Sequence, residues 1–240
     1  MKKLGLIGKT LEHSFSKKVF TELLSSVEGL DYEYDLYVLE KIEDFNNLLK
    51  EHPELVGLNV TIPYKSSIIN YLDETDEVAS AIGAVNTILI KDGKRFGFNT
   101  DVFGFAESLT PLLKDNHKKA LILGSGGAAK AVAYGCRHLN LNSQIVSRSG
   151  DFQYDKIDQS TMEEYLIIIN ATPLGMFPEN ETFPNIPYQY ITGEHILFDL
   201  VYNPENTEFL RKGKEQGAAT KNGLEMLHLQ AAKSWEIWTG

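Results

Sequence analysis

One stretch constrains this chain more than any other. The apolar run Ala120 to Leu123 passes directly into Gly124-Ser125-Gly126-Gly127-Ala128-Ala129, and then into an Ala-rich helical pattern ending at His138. A strand that becomes a helix within so few residues must turn tightly, and the Gly-x-Gly-x-x-Ala spacing is the one a dinucleotide-binding turn requires. Gly124 permits the turn, Gly126 lets backbone amides approach a pyrophosphate, and Ala129 lets helix and strand pack closely. The same residues would also serve a tight turn with no ligand. The candidate cofactor-binding residues here are Gly124, Ser125, Gly126, Gly127 and Ala128.

The end of the next expected strand, Gln144 to Ser147, bears on which dinucleotide. NAD sites usually place an acidic residue there to hold the ribose 2′-hydroxyl. This chain has Ser147-Arg148-Ser149 instead. A guanidinium can grip a 2′-phosphate with two parallel hydrogen bonds, and the flanking hydroxyls can add others. The expectation is therefore NADP(H) rather than NAD, although Arg148 alone reads equally as a surface arginine.

Around this turn, short β-like runs alternate with helical ones. Lys3 to Ile7, Tyr32 to Leu39 and Leu55 to Val60 are expected strands, separated by helices over Ser16 to Val27, Ile42 to Lys50 and Lys65 to Leu72. Ala84 to Lys91 and Arg95 to Asn99 flank Asp92-Gly93 as a hairpin. A helix starts near Asp101, and strands then recur at Ala120, Gln144, Leu166 and His195. The fold class is α/β: an N-terminal α/β substrate domain with a mostly parallel sheet over 1–101, and a Rossmann-type NADP-binding domain over 102–223. The apolar face of a last helix, 224–240, is expected to pack back on the first domain.

Composition narrows the partners. With 23 Lys and Arg against 33 Asp and Glu, the formal charge is -10, which argues against nucleic acid or an anionic membrane. No run approaches membrane-spanning length, and Met1-Lys2-Lys3 leads into a strand pattern rather than a signal peptide. The single cysteine, Cys136, rules out an internal disulfide and suits a reduced, cytoplasmic setting. No spacing of His, Cys and Asp reads as a metal site.

Four polar clusters lie at expected strand ends or helix starts of the first domain, where separate segments can converge. They are His13 to Ser16, Asn59 to Lys65, Ala84 to Thr87, and Asn99 to Asp101. Reducing a ketone by hydride transfer leaves a developing alkoxide that needs a neighbouring cation or proton donor. Lys65 can supply either, Asp101 can hold that ammonium, and Asn86 and Thr61 can orient ring hydroxyls. Ser14 and Ser16, just before a helix, favour a carboxylate. Each also has a plain reading: Ser16 and Asp101 as helix caps, Lys65 as a solvated charge, Asn86 as a turn residue.

Taken in order, these strings resemble the shikimate dehydrogenase family over nearly the whole chain. The match continues through Asn170-Ala171-Thr172-Pro173-Leu174-Gly175-Met176, Asp199 to Pro204, Asn222-Gly223-Leu224-x-Met226-Leu227 and Gln230-Ala231-Ala232. The resemblance implies an NADPH-dependent, reversible reduction of 3-dehydroshikimate in aromatic amino acid (chorismate) biosynthesis. It implies Lys65 and Asp101 as the catalytic pair and Ser14, Ser16 and Tyr202 at the substrate carboxylate. It further implies Thr61, Asn86 and Gln230 at ring hydroxyls, with Asn170, Thr172, Gly223 and Met226 on the nicotinamide side. The expected partner is a small molecule, and the expected assembly a monomer or homodimer.

Three departures stand out. Thr10 and Lys17 replace prolines usual in the opening loop, and Ser149 replaces a frequent threonine. The connection from Ser149 to Tyr165 leaves room for only a stub of a crossover helix. Three rival readings share the architecture: a quinate-oxidising relative using NAD, a non-catalytic metabolite sensor, and a folate-linked dehydrogenase. The absence of an acidic partner near Arg148, and the presence of both Lys65 and Asp101, speak against the first two. The third leaves the serines and the Asn-Thr-Asp string without a role.

Overall fold

The structure, a computed structural model, describes residues 1–12, 14–25 and 31–240. His13 and the end of the first expected helix, including Val27, lie outside the described residues. The chain forms two compact units, Met1–Asp101 with His228–Gly240, and Val102–Leu227.

The first unit is built on a six-stranded sheet. Its strands are β1 (Lys2–Gly8), β2 (Tyr32–Val38), β3 (Leu55–Val60), β4 (Glu74–Thr75), β5 (Thr87–Lys91) and β6 (Lys94–Phe98), in the order β2-β1-β3-β5-β6-β4. β1 pairs parallel with β2 and β3, and β4 parallel with β6, whereas β5 runs antiparallel to both neighbours. The antiparallel turnaround comes from Asp92 (φ 52) and Gly93 (φ 74), the two positive-φ residues of a tight hairpin. The sheet is therefore mixed, and the start of β5 lies beside the ends of β3 and β6.

Helices α1 (Ser16–Ser25), α2 (Phe45–Glu51) and α3 (Glu77–Ile82) belong to this unit. The helix expected from Lys65 to Leu72 is instead a turn and a 3₁₀ segment, Ser67–Tyr71. The Lys65 carbonyl accepts the Val85 amide at 2.7 Å, so it is not available to start an i to i+4 ladder.

The second unit takes in α4 (Asp101–Leu109) from Val102 onward and carries a five-stranded, wholly parallel sheet. Its strands are β7 (Lys119–Leu123), β8 (Asn142–Val146), β9 (Ile167–Asn170), β10 (Ile196–Asp199) and β11 (Ala219–Lys221), ordered β11-β10-β9-β7-β8. From β7 the chain goes to one neighbour, β8, and later resumes on the other side at β9. A crevice opens at the carboxyl end of β7 wherever strand order reverses in this way, and that is where the glycine turn lies. α5 (Gly127–His138), α6 (Gln159–Glu164) and α7 (Glu208–Glu215) pack on this sheet. The six-residue α6 is the α-helix between β8 and β9, the stub that the short connection allows.

Both faces of the second sheet are apolar, as a sheet covered by helices requires. Phe105, Ile122, Val132, Ile169 and Phe198 fill one side, and Leu121, Met162, Ile168, Leu197 and Phe209 the other. Cys136 is buried in the first of these clusters, where desolvation pushes its thiol up to about 12, so it acts as a packed apolar group.

The last helix, α8 (Leu224–Thr239), places its His228–Gly240 portion in the first unit. Trp238 Nε1 donates to the Ile88 carbonyl at 2.9 Å, and Phe20 stacks on Tyr34 at 4.2 Å beside the Trp238 ring. Among the described residues, no helix is long and apolar enough to cross a membrane, and no group of His, Cys, Asp and Glu is arranged to hold a metal ion.

Candidate active site

In the first unit, the carboxyl ends of β1, β3 and β6 and the start of β5 share one edge of the sheet. Every polar cluster of that domain with described residues is delivered there. Thr61 follows β3 and begins a turn closed by the Tyr64 amide on the Thr61 carbonyl, which sets Lys65 just beyond it. Asn86 immediately precedes β5, and Thr100 and Asp101 follow β6.

The side chains meet as a connected set. Lys65 Nζ lies 2.7 Å from Asp101 Oδ2, a charge-assisted hydrogen bond with the lysine side chain 23% exposed and the aspartate 12%. Asp101 Oδ1 accepts from Asn86 Nδ2 at 2.9 Å, so both oxygens of the carboxylate are engaged within the set. The orientation of the Asn86 amide is not arbitrary. Its Oδ1 accepts from the Thr100 backbone amide at 2.7 Å, and a backbone N–H can only donate, which forces Nδ2 toward Asp101. The same Nδ2 reaches Gln230 Oε1 at 3.3 Å, bringing α8 into the set.

Behind Asn86 lies a buried layer for which sequence reasoning assigned no role. Asn59 Nδ2 donates to the Asn86 carbonyl, Thr87 Oγ1 and Ser234 Oγ at 3.1–3.2 Å, while Tyr34 donates to Asn59 Oδ1 at 2.9 Å. Ser234 is fully buried and lies 2.8 Å from Thr87 Oγ1. Its signal was available: it follows Gln230 by four residues, one helical turn, on the buried face that carries Ala231 and Trp238.

At the start of α1, Ser14 Oγ accepts the Ser16 amide at 3.3 Å, so Ser14 rather than Ser16 serves the helix terminus. Both serines are half-buried and belong to the same sheet edge by their place after β1. Lys17, where the family usually has proline, pairs with Asp35 at 2.9 Å. Thr61 is half-buried at the same edge. Tyr202 lies in the second unit.

In the second unit the glycine turn lies between β7 and α5. Gly124 has φ 114, and a side chain there would press on the Ala171 carbonyl at 3.0 Å. Gly126 and Gly127 differ: neither has positive φ, and a Cβ at either would meet nothing within 4 Å. The fold itself therefore gives no reason for glycine at these two positions, and close approach by a ligand does. Gly126 caps α5 without a side-chain hydrogen bond, which leaves the helix's first amides for an anion. Dinucleotide pyrophosphate fits this cradle.

The Gly124 amide donates to the Val146 carbonyl at 2.8 Å, which holds the turn beside the end of β8. There Ser147 is buried and closes a loop by bonding the Phe152 carbonyl, whereas Arg148 and Ser149 are exposed. Arg148 makes no hydrogen bond or ion pair among the described residues; its charge is felt by Tyr154.

Four residues assigned through the family resemblance have strong packing roles of their own. Asn170 is fully buried, donating to Asp199 Oδ1 and the Leu174 carbonyl, and accepting from the Thr172 amide and hydroxyl at 3.1 and 2.6 Å. Thr172 thereby caps the loop after β9. A side chain on Gly223 would collide with the Leu200 carbonyl, and Met226 is packed beside Phe105 and Phe198.

Residues 6–88 match the family model described as shikimate dehydrogenase substrate binding domain. A shikimate dehydrogenase (NADP(+)) of Methanosphaera stadtmanae is 38% identical over 258 residues, covering 98% of this chain and 90% of the relative. This chain belongs to the shikimate dehydrogenase family.

Solved members of the family share the fold. The shikimate 5-dehydrogenase of Thermus thermophilus, in complex with NADP(H) and shikimate, superimposes with a TM-score of 0.89 at 32% identity, over 100% of this chain and 94% of that one. A quinate dehydrogenase of Corynebacterium glutamicum in complex with NAD gives 0.88 at 28% identity, over 100% and 94%. Overall shape thus does not separate the shikimate from the quinate enzymes, and the residues at the site must.

Proposed function

We propose that this chain is an NADP-dependent shikimate dehydrogenase, reducing the ring ketone of 3-dehydroshikimate to shikimate and catalysing the reverse. The observation that carries the reading is the Lys65–Asp101 pair at 2.7 Å, with Asn86 holding the second carboxylate oxygen.

NADPH, when bound, supplies the hydride that attacks the carbonyl carbon. Lys65 then gives a proton to the carbonyl oxygen as negative charge develops there, so C–H and O–H bonds form as the C=O double bond is reduced. Asp101 keeps the ammonium charged and aimed before the reaction. In the oxidative direction the neutral amine accepts the alcohol proton. Asn86, Gln230 and Thr61 orient the ring, and Ser14, Ser16 and Tyr202 receive the carboxylate. The glycine turn and the first amides of α5 hold the pyrophosphate, and Arg148 with Ser147 and Ser149 holds the 2′-phosphate. Asn170, Gly223 and Met226 shape the nicotinamide side through the backbone they fix, and Thr172 borders it.

Quinate oxidation with NAD is the second reading, and the fold match to the quinate enzyme favours it as the alternative. Arg148, with no acidic residue among Ser147, Arg148 and Ser149 at the end of β8, favours the first. The formal charge of -10 supports small-molecule partners over nucleic acid, and the single buried thiol suits a reduced cytoplasmic setting for a monomer or homodimer. The deciding experiment follows reduced-nicotinamide absorbance with 3-dehydroshikimate, shikimate and quinate against each cofactor. NADPH oxidation by 3-dehydroshikimate is expected. No absorbance change with any pair overturns catalysis, and preferential reduction of NAD by quinate overturns the substrate assignment.

A further inference from the structure

Asp199 ends β10 at the same carboxyl edge as the glycine turn, fully buried and without a cation among its partners. Its Oδ1 accepts from Asn170 Nδ2 at 2.9 Å and from the Val201 amide at 3.0 Å, and its Oδ2 from Thr207 Oγ1 at 2.6 Å. Three segments thus converge on one carboxylate: the end of β9, the turn leading to Tyr202, and the residue before α7. A buried charge with no counter-ion is costly, and a neutral side chain would brace a purely structural junction at lower cost. What the ionised group adds is strength, since hydrogen bonds to a carboxylate are roughly twice as strong as neutral ones.

We propose that Asp199 is a positioning residue of the reaction, setting the cofactor-side loop 171–176 through Asn170 and the Tyr202 turn through the Val201 amide. The assignment rests on the proposed function, because its readout is NADPH binding. Asn170 transmits the constraint: with one amide hydrogen on Asp199, its Oδ1 is turned to hold both the amide and hydroxyl of Thr172.

Burial pushes the Asp199 carboxyl up to about 6 against the pull of Thr207, Val201 and Asn170, so the clamp relaxes as pH falls through that value. The groups facing this region do not titrate with it. Burial raises the Tyr188 phenol further above its usual range, and Arg211 holds Glu208 of α7 below the usual carboxylate range. Because the folded-state value is raised, protonating Asp199 stabilises the fold as pH falls toward the unfolded value. Weaker NADPH binding in acid is therefore not unfolding driven by this group.

The test is a fluorescence titration of NADPH at pH 8 and at pH 5.5 on the unsubstituted chain and three variants. Asp199→Asn is expected to bind NADPH about tenfold more weakly at pH 8. The ratio to the unsubstituted chain should shrink toward one at pH 5.5, and the 2′-phosphate, which titrates at about 6, cancels in that ratio. Thr207→Val removes a donor to the carboxylate and should move the pH midpoint of binding upward, while Thr207→Ser restores it. An Asp199→Asn ratio of one at pH 8, or one that is unchanged with pH, overturns the assignment, as does an unmoved midpoint in Thr207→Val. An unsubstituted chain that fails to bind NADPH overturns the proposed function and this assignment together.

Discussion

The candidate residues of the two units are finished to different degrees. In the first unit, Lys65, Asp101, Asn86, Gln230 and the layer of Asn59, Thr87 and Ser234 satisfy one another across distances of 2.7 to 3.3 Å. In the second, the glycine turn presents uncapped helix amides and Arg148 extends with no hydrogen-bond partner among the described residues. The contrast separates two demands. Groups that act on the reacting carbonyl need fixed positions before substrate arrives, because a small misplacement costs rate. Groups that bind a flexible polyanion need unspent donors, which the ligand itself completes.

Breaking the finished half should have the largest effect. Lys65→Ala removes the proposed proton donor and is expected to lower turnover by about 10²-fold or more, with NADPH binding largely intact. Steady-state rates paired with an NADPH titration check this, and undiminished turnover would remove Lys65 from the mechanism.

Next in size is a change in the open half. Arg148→Ala takes away the expected 2′-phosphate contact, so NADPH binding should weaken on the order of tenfold while NADH binding hardly changes. Equal losses for both cofactors would refute the phosphate assignment. Because no hydrogen bond or ion pair among the described residues depends on this guanidinium, thermal stability should not move.

A smaller effect tests whether the buried layer matters to the reacting pair. Ser234→Ala takes one hydrogen-bond partner from each of Asn59 and Thr87, which keep others, at a stability cost of about 1 kcal/mol. If the layer orients Asn86, kcat should fall severalfold while KM for NADPH is unchanged. Ser234→Thr, which keeps the hydroxyl, should recover part of the loss. Loss of stability with unaltered kcat would reduce the layer to packing.

The same contrast explains what could be read from the linear chain. The strand-turn-helix at Gly124 was legible because the turn's demands are local: φ at Gly124 and open space at Gly126 depend on neighbours in sequence. Lys65, Asp101 and Asn86 were legible as residue types at strand ends, and family strings ordered them. Thr207 was not, and for Ser234 the helical spacing from Gln230 marked the face but not the partners, since each acts through a hydrogen bond to a residue remote in sequence or in another element. The 65–72 helix failed for a similar reason, the Val85 amide having claimed the Lys65 carbonyl. Tertiary hydrogen bonds overrode local pattern wherever a backbone group had a stronger partner elsewhere.

The smallest predicted effect asks whether the second unit is open only at its ligand edge. His195 stands just before β10, at the opposite end of the sheet from the glycine turn, and is buried. Its Nδ1 accepts from the Thr192 amide at 3.0 Å, so that nitrogen carries no proton, and Nε2 donates to the Met162 carbonyl at 2.9 Å. Burial lowers its pKa, opposed by those backbone bonds, with His117 adding to the lowering and Glu194 opposing it. The unfolded chain therefore takes up a proton near its ordinary value of 6.5 that the folded unit resists. Stability from this group is complete above that value and is lost as pH falls through it. His195→Gln, which can accept and donate in the same directions without titrating, should show a smaller fall in melting temperature between about pH 7.5 and 5.5, by on the order of 2 °C. Identical pH dependence in the two proteins would mean that the neutral imidazole is not what closes this end, and that the acid sensitivity of the unit lies elsewhere.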